Sequence, residues 1–336
     1  MTAAEISRRC ALSAVDAGRE IRVAVQSMAP DARARPCSSK LKSSNVAADT
    51  LAEDIGLAHL ERLARDLRRP LHLILDDDGA VCRLGDAAAE PIWVSFDAID
   101  GTKKVAGIGP QDAGRLVAAN DGAWAATFAF TAPTGKAFAE LTYADFATAA
   151  VVDGNPTRFR AYPADVIAVR DDAGGGSYEV SEDGALVPVR TTSVEVLREC
   201  WALLDAFQAH DRATRQPGDE DLAVEIYRRL IDRHAGGAHD VLRQFGSLGA
   251  LCRNLLGWRA PAGPESQGGA FIVVNENLPN LIPAVPIVAG AGGYSSDFEG
   301  RPLRERRLAE GRTSVIHAAN APLLERCLEI VRSARR

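Results

Sequence analysis

The feature that most constrains the fold is "PIWVSFDAIDGT", Pro91 to Thr102, where a strand-like apolar run ends in two aspartates three residues apart, Asp97 and Asp100, before Gly101 and Thr102. Short apolar runs bounded by turn residues read as buried strands. A second one, "LHLIL" at 71–75, runs into Asp76, Asp77 and Asp78. Both strands deliver carboxylates at their C-terminal ends, and an isolated buried carboxylate is costly to ionise, so gathering several calls for a cation. Magnesium is the natural one, because it takes carboxylate and carbonyl oxygens and commonly shares its shell with phosphate. The Gly101–Thr102 step adds a turn whose backbone N–H groups suit a phosphate oxygen. D-x-x-D-G-T alone is also what a turn with a helix cap looks like, so the order of the other segments has to decide.

Those segments predict helices and sheets in layers, an α/β chain. Apolar positions at helical spacing (Ile6, Cys10, Leu12, Val15, Ile21, Val25) predict a helix over 4–28, ended before Pro30, and a second periodic stretch predicts one over 46–67. From 123 to 160, alternating apolar runs separated by "APTG" and "DGNP" predict an antiparallel meander. Helices are expected at 193–210, 220–234 and 241–256, with "APAGPESQGG" as a linker. "AFIVV", "GGYSSDF" and "TSVIHAA" read as strands, and 322–332 as a closing helix.

Composition excludes several roles. With 336 residues, 46% of them hydrophobic, the chain can bury a large core. A net charge of -6 argues against a nucleic-acid or membrane-surface partner, which leaves small molecules or proteins. The six cysteines show no C-x-x-C pairing, which suggests neither zinc nor a disulfide framework and fits a reducing cytoplasm. No stretch has the length of a membrane span, and the first residues have no apolar leader pattern. Of 39 basic residues only Lys40, Lys42, Lys103, Lys104 and Lys136 are lysines, so the adjacent pair behind the acidic turn is unusual.

"DAIDGT" resembles the D-P-I-D-G-T signature of the inositol monophosphatase family, part of the fructose-1,6-bisphosphatase-like, magnesium-dependent, lithium-sensitive phosphatases. The likeness continues in order along the chain. "ALSAVDAGREI" looks like the family's first helix and "KSSNVAADTLAED" like its K-S-S…T-x-x-D stretch. "LILDDDG" sits where the family has its G-E-E turn, and "RQFGSLGALC" is similar to its R-x-x-G-S-x-A-L-x-L-C helix. "AGGYSSDFEGRPL" and "SVIHAAN" match its closing strands. The resemblance implies a layered αβαβα sandwich forming one unit over 1–336, with a metal-bearing α+β part (1–190) and an α/β part (191–336). It also implies a homodimer, two or three magnesium ions, and a small sugar, polyol or nucleotide phosphate as substrate.

Carried over residue by residue, the resemblance implies that Asp97 bridges two metals, that Asp100 binds the second, and that the Ile99 carbonyl binds the first. The G-E-E glutamate corresponds to Asp76, counting back from Trp93, or to Asp77, counting back from Asp97, with Asp76 preferred. Thr102 would hold the attacking water, polarised by an acid on the second helix. Ungapped counting gives Glu53, with Asp49 and Asp54 as near neighbours. Gly101, Thr102, Lys103, Lys104 and Arg243 fall where substrate is bound, although a structural ion pair is the better reading of Arg243.

Two departures stand out. The family's W-D-x-A-A-G signature reads here as "PNLIPAVPIVAGAGG", which places Asn280 where the metal-binding aspartate belongs. Asparagine offers a carbonyl oxygen but no charge, so binding of the second metal should weaken. Lys103 and Lys104 stand where the family has a neutral residue and asparagine. They either replace part of the metal charge or grip a second anionic group, mark a decayed ligand-binding paralogue, or face solvent.

Overall fold

The computed structural model describes residues 1–41, 45–75, 80–86, 88–105, 124–154, 165–170, 175–205, 216–232, 234, 236–238, 240–244, 267–276 and 278–336. Helix α1 (Ala3–Ser27) starts on a capping box: the Thr2 hydroxyl accepts the Glu5 N–H and the Glu5 carboxylate accepts that of Thr2. It ends at the single turn α2 (Pro30–Arg33), where the buried Arg33 guanidinium donates to the Gln26 and Met28 carbonyls. That contact satisfies acceptors that the helix end would otherwise leave open. Two-residue strands β1 (Pro36–Cys37) and β2 (Asn45–Val46) pair antiparallel and lead into α3 (Ala47–Leu67), which lies beside α1.

The larger sheet has eight strands: β3 (Leu71–Ile74), β4 (Val81–Leu84), β5 (Ile92–Asp100), β6 (Ala125–Thr131), β7 (Phe146–Asp153), β8 (Asp165–Val169), β9 (Gly176–Val180) and β10 (Leu186–Pro188). Their order is β10-β9-β8-β7-β6-β5-β3-β4, with β3 and β5 parallel and every other neighbour antiparallel. One face packs on α1 and α3 through Phe96, Phe128, Phe130 and Val152. A side chain at Gly18 would collide with Val152, and one at Gly56 with the Phe96 ring, so these glycines let the helices lie close against the strands.

The smaller sheet holds β11 (Cys200–Asp205), β12 (Asp240–Gln244), β13 (Gln267–Glu276), β14 (Tyr294–Asp297) and β15 (Thr313–Ala318) in the order β12-β11-β13-β15-β14. Helices α5 (Asp219–Ile231) and α8 (Ala321–Ala334) cover its outer face. Between the two sheets runs α7 (Ala284–Gly290), preceded by the single turn α6 (Leu278–Leu281); α7 packs on β7, β8 and β9 of one sheet and on β14 of the other. The layers are therefore α, β, α, β, α.

Where a helix was expected at 193–210, the described part is the strand β11 after a 3-10 turn, Leu197–Glu199, and 206–210 lie outside the described residues. Leu203 faces the inter-sheet core while Cys200, Ala202 and Leu204 face α5 and α8. A strand buried on both faces is apolar throughout, and periodicity cannot tell it from a helix. The start of the expected 241–256 helix is likewise a strand, β12, parallel to β11; the rest lies outside the described residues. So do the "APAGPESQGG" linker up to Ser266 and Cys252; the other five cysteines are unpaired thiols.

Candidate active site

The two aspartates of β5 pose a geometric problem. In a regular strand side chains alternate, so residues 97 and 100 would point to opposite faces. The register shows how both reach the same one: Asp97 is level with Thr127 and Asp100 with Ala125, and the ladder shifts between them. Thr127 and Ala125 are two apart on β6 and share a face. The extra residue is a β-bulge over Ala98 and Ile99, both of which face the helices. Asp97 and Asp100 thereby face the space between the sheets, like Trp93 and Ala125. Asp97 is half-buried and its Oδ1 accepts the Ile99 N–H at 3.2 Å, whereas Asp100 is 3% exposed.

Beyond Asp100, Gly101 adopts φ 101°, a left-handed conformation that favours glycine, and the chain turns into the single helical turn α4 (Thr102–Val105). This turn aims the Thr102 hydroxyl at α3. Its Oγ1 lies 3.0 Å from each carboxylate oxygen of the buried Asp49 and 2.9 Å from the Ile99 carbonyl. A hydroxyl has one proton to give, so these acceptors compete for it. The acid on the second helix that meets Thr102 is thus Asp49. Glu53 lies one turn further along, buried, with Oε1 accepting from Asn45 Nδ2 at 3.1 Å. Asp54 points outward toward Lys40, at 3.9 Å.

The smaller sheet presents its own acids to the same space. Glu276 is level with Thr313, two residues from Val315, which faces the inter-sheet core. Here too the register shifts, between Val273 and Glu276, and Asn275 sits at φ 57°. Glu276 is 5% exposed, and its Oε1 accepts the Asn280 Nδ2–H at 3.2 Å. Turn α6, which carries Asn280, packs against β5, the strand that carries Asp97 and Asp100. Asp205, buried at the end of β11, is level with the core-facing Val273. Asp153, also buried, is level with Ala125 and flanks it opposite Asp100. Glu276, Asp205 and Asp153 were not singled out from the sequence, although each ends an apolar run just as Asp97 and Asp100 do.

Asp76 and Asp77 lie outside the described residues, although β3 leads toward them alongside β5 with Ile74 level with Ser95. Lys103 and Lys104 belong to α4, but their side chains fall outside the description, as does that of Arg243, whose backbone is in β12 level with Leu204. Arg243 is thus on a strand, where a helix was expected. Among the described residues no three His, Cys, Asp or Glu side chains converge closely enough to hold an ion by themselves. The donors that are described are all hard oxygens, which is the chemistry that magnesium takes and soft metals do not.

By sequence the chain matches no family model and no curated protein. Solved structures do match. Fructose-1,6-bisphosphatase from Leishmania major in its holo form is 12% identical, with 97% of this chain and 92% of that one covered and a TM-score of 0.62. Extragenic suppressor protein suhB from Bartonella henselae is 15% identical, with 96% and 97% covered and a TM-score of 0.59. Inositol monophosphatase from Anabaena is 12% identical, with 97% and 96% covered and a TM-score of 0.56. The chain has the fold that these proteins share, over nearly its whole length.

Proposed function

We propose that the protein is a magnesium-dependent phosphomonoesterase acting on a small sugar, polyol or nucleotide phosphate, as a cytoplasmic homodimer. The observation that carries this reading is the β5 bulge, which turns Asp97 and Asp100 to one face beside a threonine hydroxyl bonded to a buried aspartate. Asp97, Asp100 and the Ile99 carbonyl would hold the metal, together with an acid from 76–78, and Glu276 would add its charge from the facing sheet. When bound, magnesium lowers the pKa of a water and neutralises charge on the leaving oxygen. Were the Ile99 carbonyl to serve as a ligand, Thr102 would be left to donate its proton to Asp49. The remaining lone pairs of Thr102 Oγ1 then accept a hydrogen bond from the attacking water and orient it in line with the ester bond. The N–H groups around Gly101 face the phosphate.

Phosphate release from a panel of sugar, polyol and nucleotide monophosphates, with and without magnesium, tests the reading. Magnesium-dependent turnover that is lost in a folded Asp97→Asn variant is expected. Asn280 and the Lys103–Lys104 pair favour a second reading, a ligand-binding relative with weakened catalysis. Tight binding of one of these phosphates without turnover would establish that instead.

A further inference from the structure

We infer that Asn280 is a positioning residue, whose carboxamide holds the Glu276 carboxylate toward the acidic end of β5. The inference rests on the phosphatase reading and changes what position 280 does within it. Counting along the sequence places Asn280 among the metal's own ligands. The structure shows a donor–acceptor pair that joins the end of β13 to turn α6, Asn280 Nδ2 to Glu276 Oε1 at 3.2 Å. Three features direct Glu276. The left-handed Asn275 and the shifted register turn its side chain onto the inter-sheet face. Asn275 Nδ2 donates to Asp219 Oδ2 at 2.9 Å and its N–H to Ser314 Oγ at 3.0 Å, which fixes that turn. Turn α6 packs on β5, so the Asn280 amide meets the carboxylate from a turn held against the strand that carries Asp97 and Asp100.

An amide suits this place because it gives a proton to the carboxylate while adding no charge. An aspartate at 280 would set two carboxylates against each other at hydrogen-bond distance, where they repel. Restoring the acid that the family pattern calls for should therefore weaken cation binding here. A ligand role for position 280 predicts the opposite.

The test uses the full chain with Mn2+ as a probe, its affinity read by electron paramagnetic resonance, beside thermal midpoints in metal-free buffer. Asn280→Asp and Glu276→Gln should each weaken Mn2+ binding, by about tenfold, the lower end of the loss usual when a ligand's supporting partner is removed. The double variant Glu276→Gln/Asn280→Asp exchanges amide and carboxylate and should recover most of the affinity. Tighter binding by Asn280→Asp, no change in it, or losses that simply multiply in the double variant would overturn the proposal. A parent that binds no Mn2+ counts against the phosphatase reading alone. The pairing is then judged by the metal-free midpoints, which must fall for Asn280→Asp and recover in the double variant, or the proposal fails.

Discussion

The end of β5 and the end of β13 solve the same problem by different means. Each must turn an acid from a buried strand toward the space between the sheets, and each does so by breaking its ladder near the last residue. On β5 the break is a bulge over two apolar residues, and both acids belong to one short motif. On β13 it involves a left-handed asparagine, and the acid's amide partner comes from the next helical turn. A motif confined to one strand can be read from its letters, whereas a pair that spans a strand and a helix needs the fold.

The comparison breaks most readily at β5. Asp97→Asn should lower magnesium-dependent turnover by on the order of 10³-fold, the scale of several kcal/mol of lost charge stabilisation. Glu276→Gln should lower it less, since among the described residues no third acid closes on Asp97 and Asp100. Steady-state kinetics on both variants, with circular dichroism to confirm folding, decides; an equal or larger loss at Glu276 would reverse the ranking.

Within the β5 half, Asp49→Asn should reduce kcat by about 10²-fold, as removal of a proton acceptor typically does. Glu53→Gln should change it by no more than a few-fold. A larger effect at Glu53 than at Asp49 would show that the Thr102–Asp49 bond is not the productive one.

The smaller sheet also carries His317, fully buried with Nδ1 2.7 Å from Ser295 Oγ. Burial pushes its pKa down to about 3. Its folded-state value lies below the ordinary value near about 6.5, so the unfolded chain takes up the proton first as pH falls. The contribution is fully present above about pH 6.5 and is lost progressively below it. Between about pH 6.5 and 5 this costs about 2 kcal/mol, at about 1.4 kcal/mol per pH unit. Urea unfolding across that range should show the slope in the parent and a flatter one in His317→Gln. An unchanged slope would clear His317 of the effect.

The smallest effect is expected at Asn275. A β-branched residue resists the left-handed region, so Asn275→Val should cost about 1–2 kcal/mol in the same urea experiment and weaken Mn2+ binding through Glu276. Lost stability with unchanged Mn2+ affinity would separate the β13 turn from the site.

Much of the fold was legible because its signals are local. Periodicity located α1, α3, α5 and α8 within a few residues, and alternation found the meander. β11 and β12 escaped because burial on both faces removes the alternation that marks a strand. In the site, Asp49 meets Thr102 four residues before Glu53, which counting gave, and Asn280, which counting reached, is bonded to Glu276 four residues before it. On α3 four residues is about one helical turn, and residues i and i+4 share a face, whereas Glu276 and Asn280 lie on a strand and on the turn after it. Ungapped counting therefore finds the right face of a helix more easily than the right level on it.

The bulge at Ala98 and Ile99 also sets what this chain can tolerate when its length changes. Loss of one residue there would restore regular alternation and leave Asp97 and Asp100 on one face, two apart like Thr127 and Ala125, while removing one of the two side chains packed toward the helices. Exchange of Ala98 for another small apolar residue would leave the phase alone. The strand is thus one residue longer here than the facing of its two acids requires, and what the surplus adds is a second apolar side chain toward the helices and the turned Ile99 carbonyl that meets Thr102.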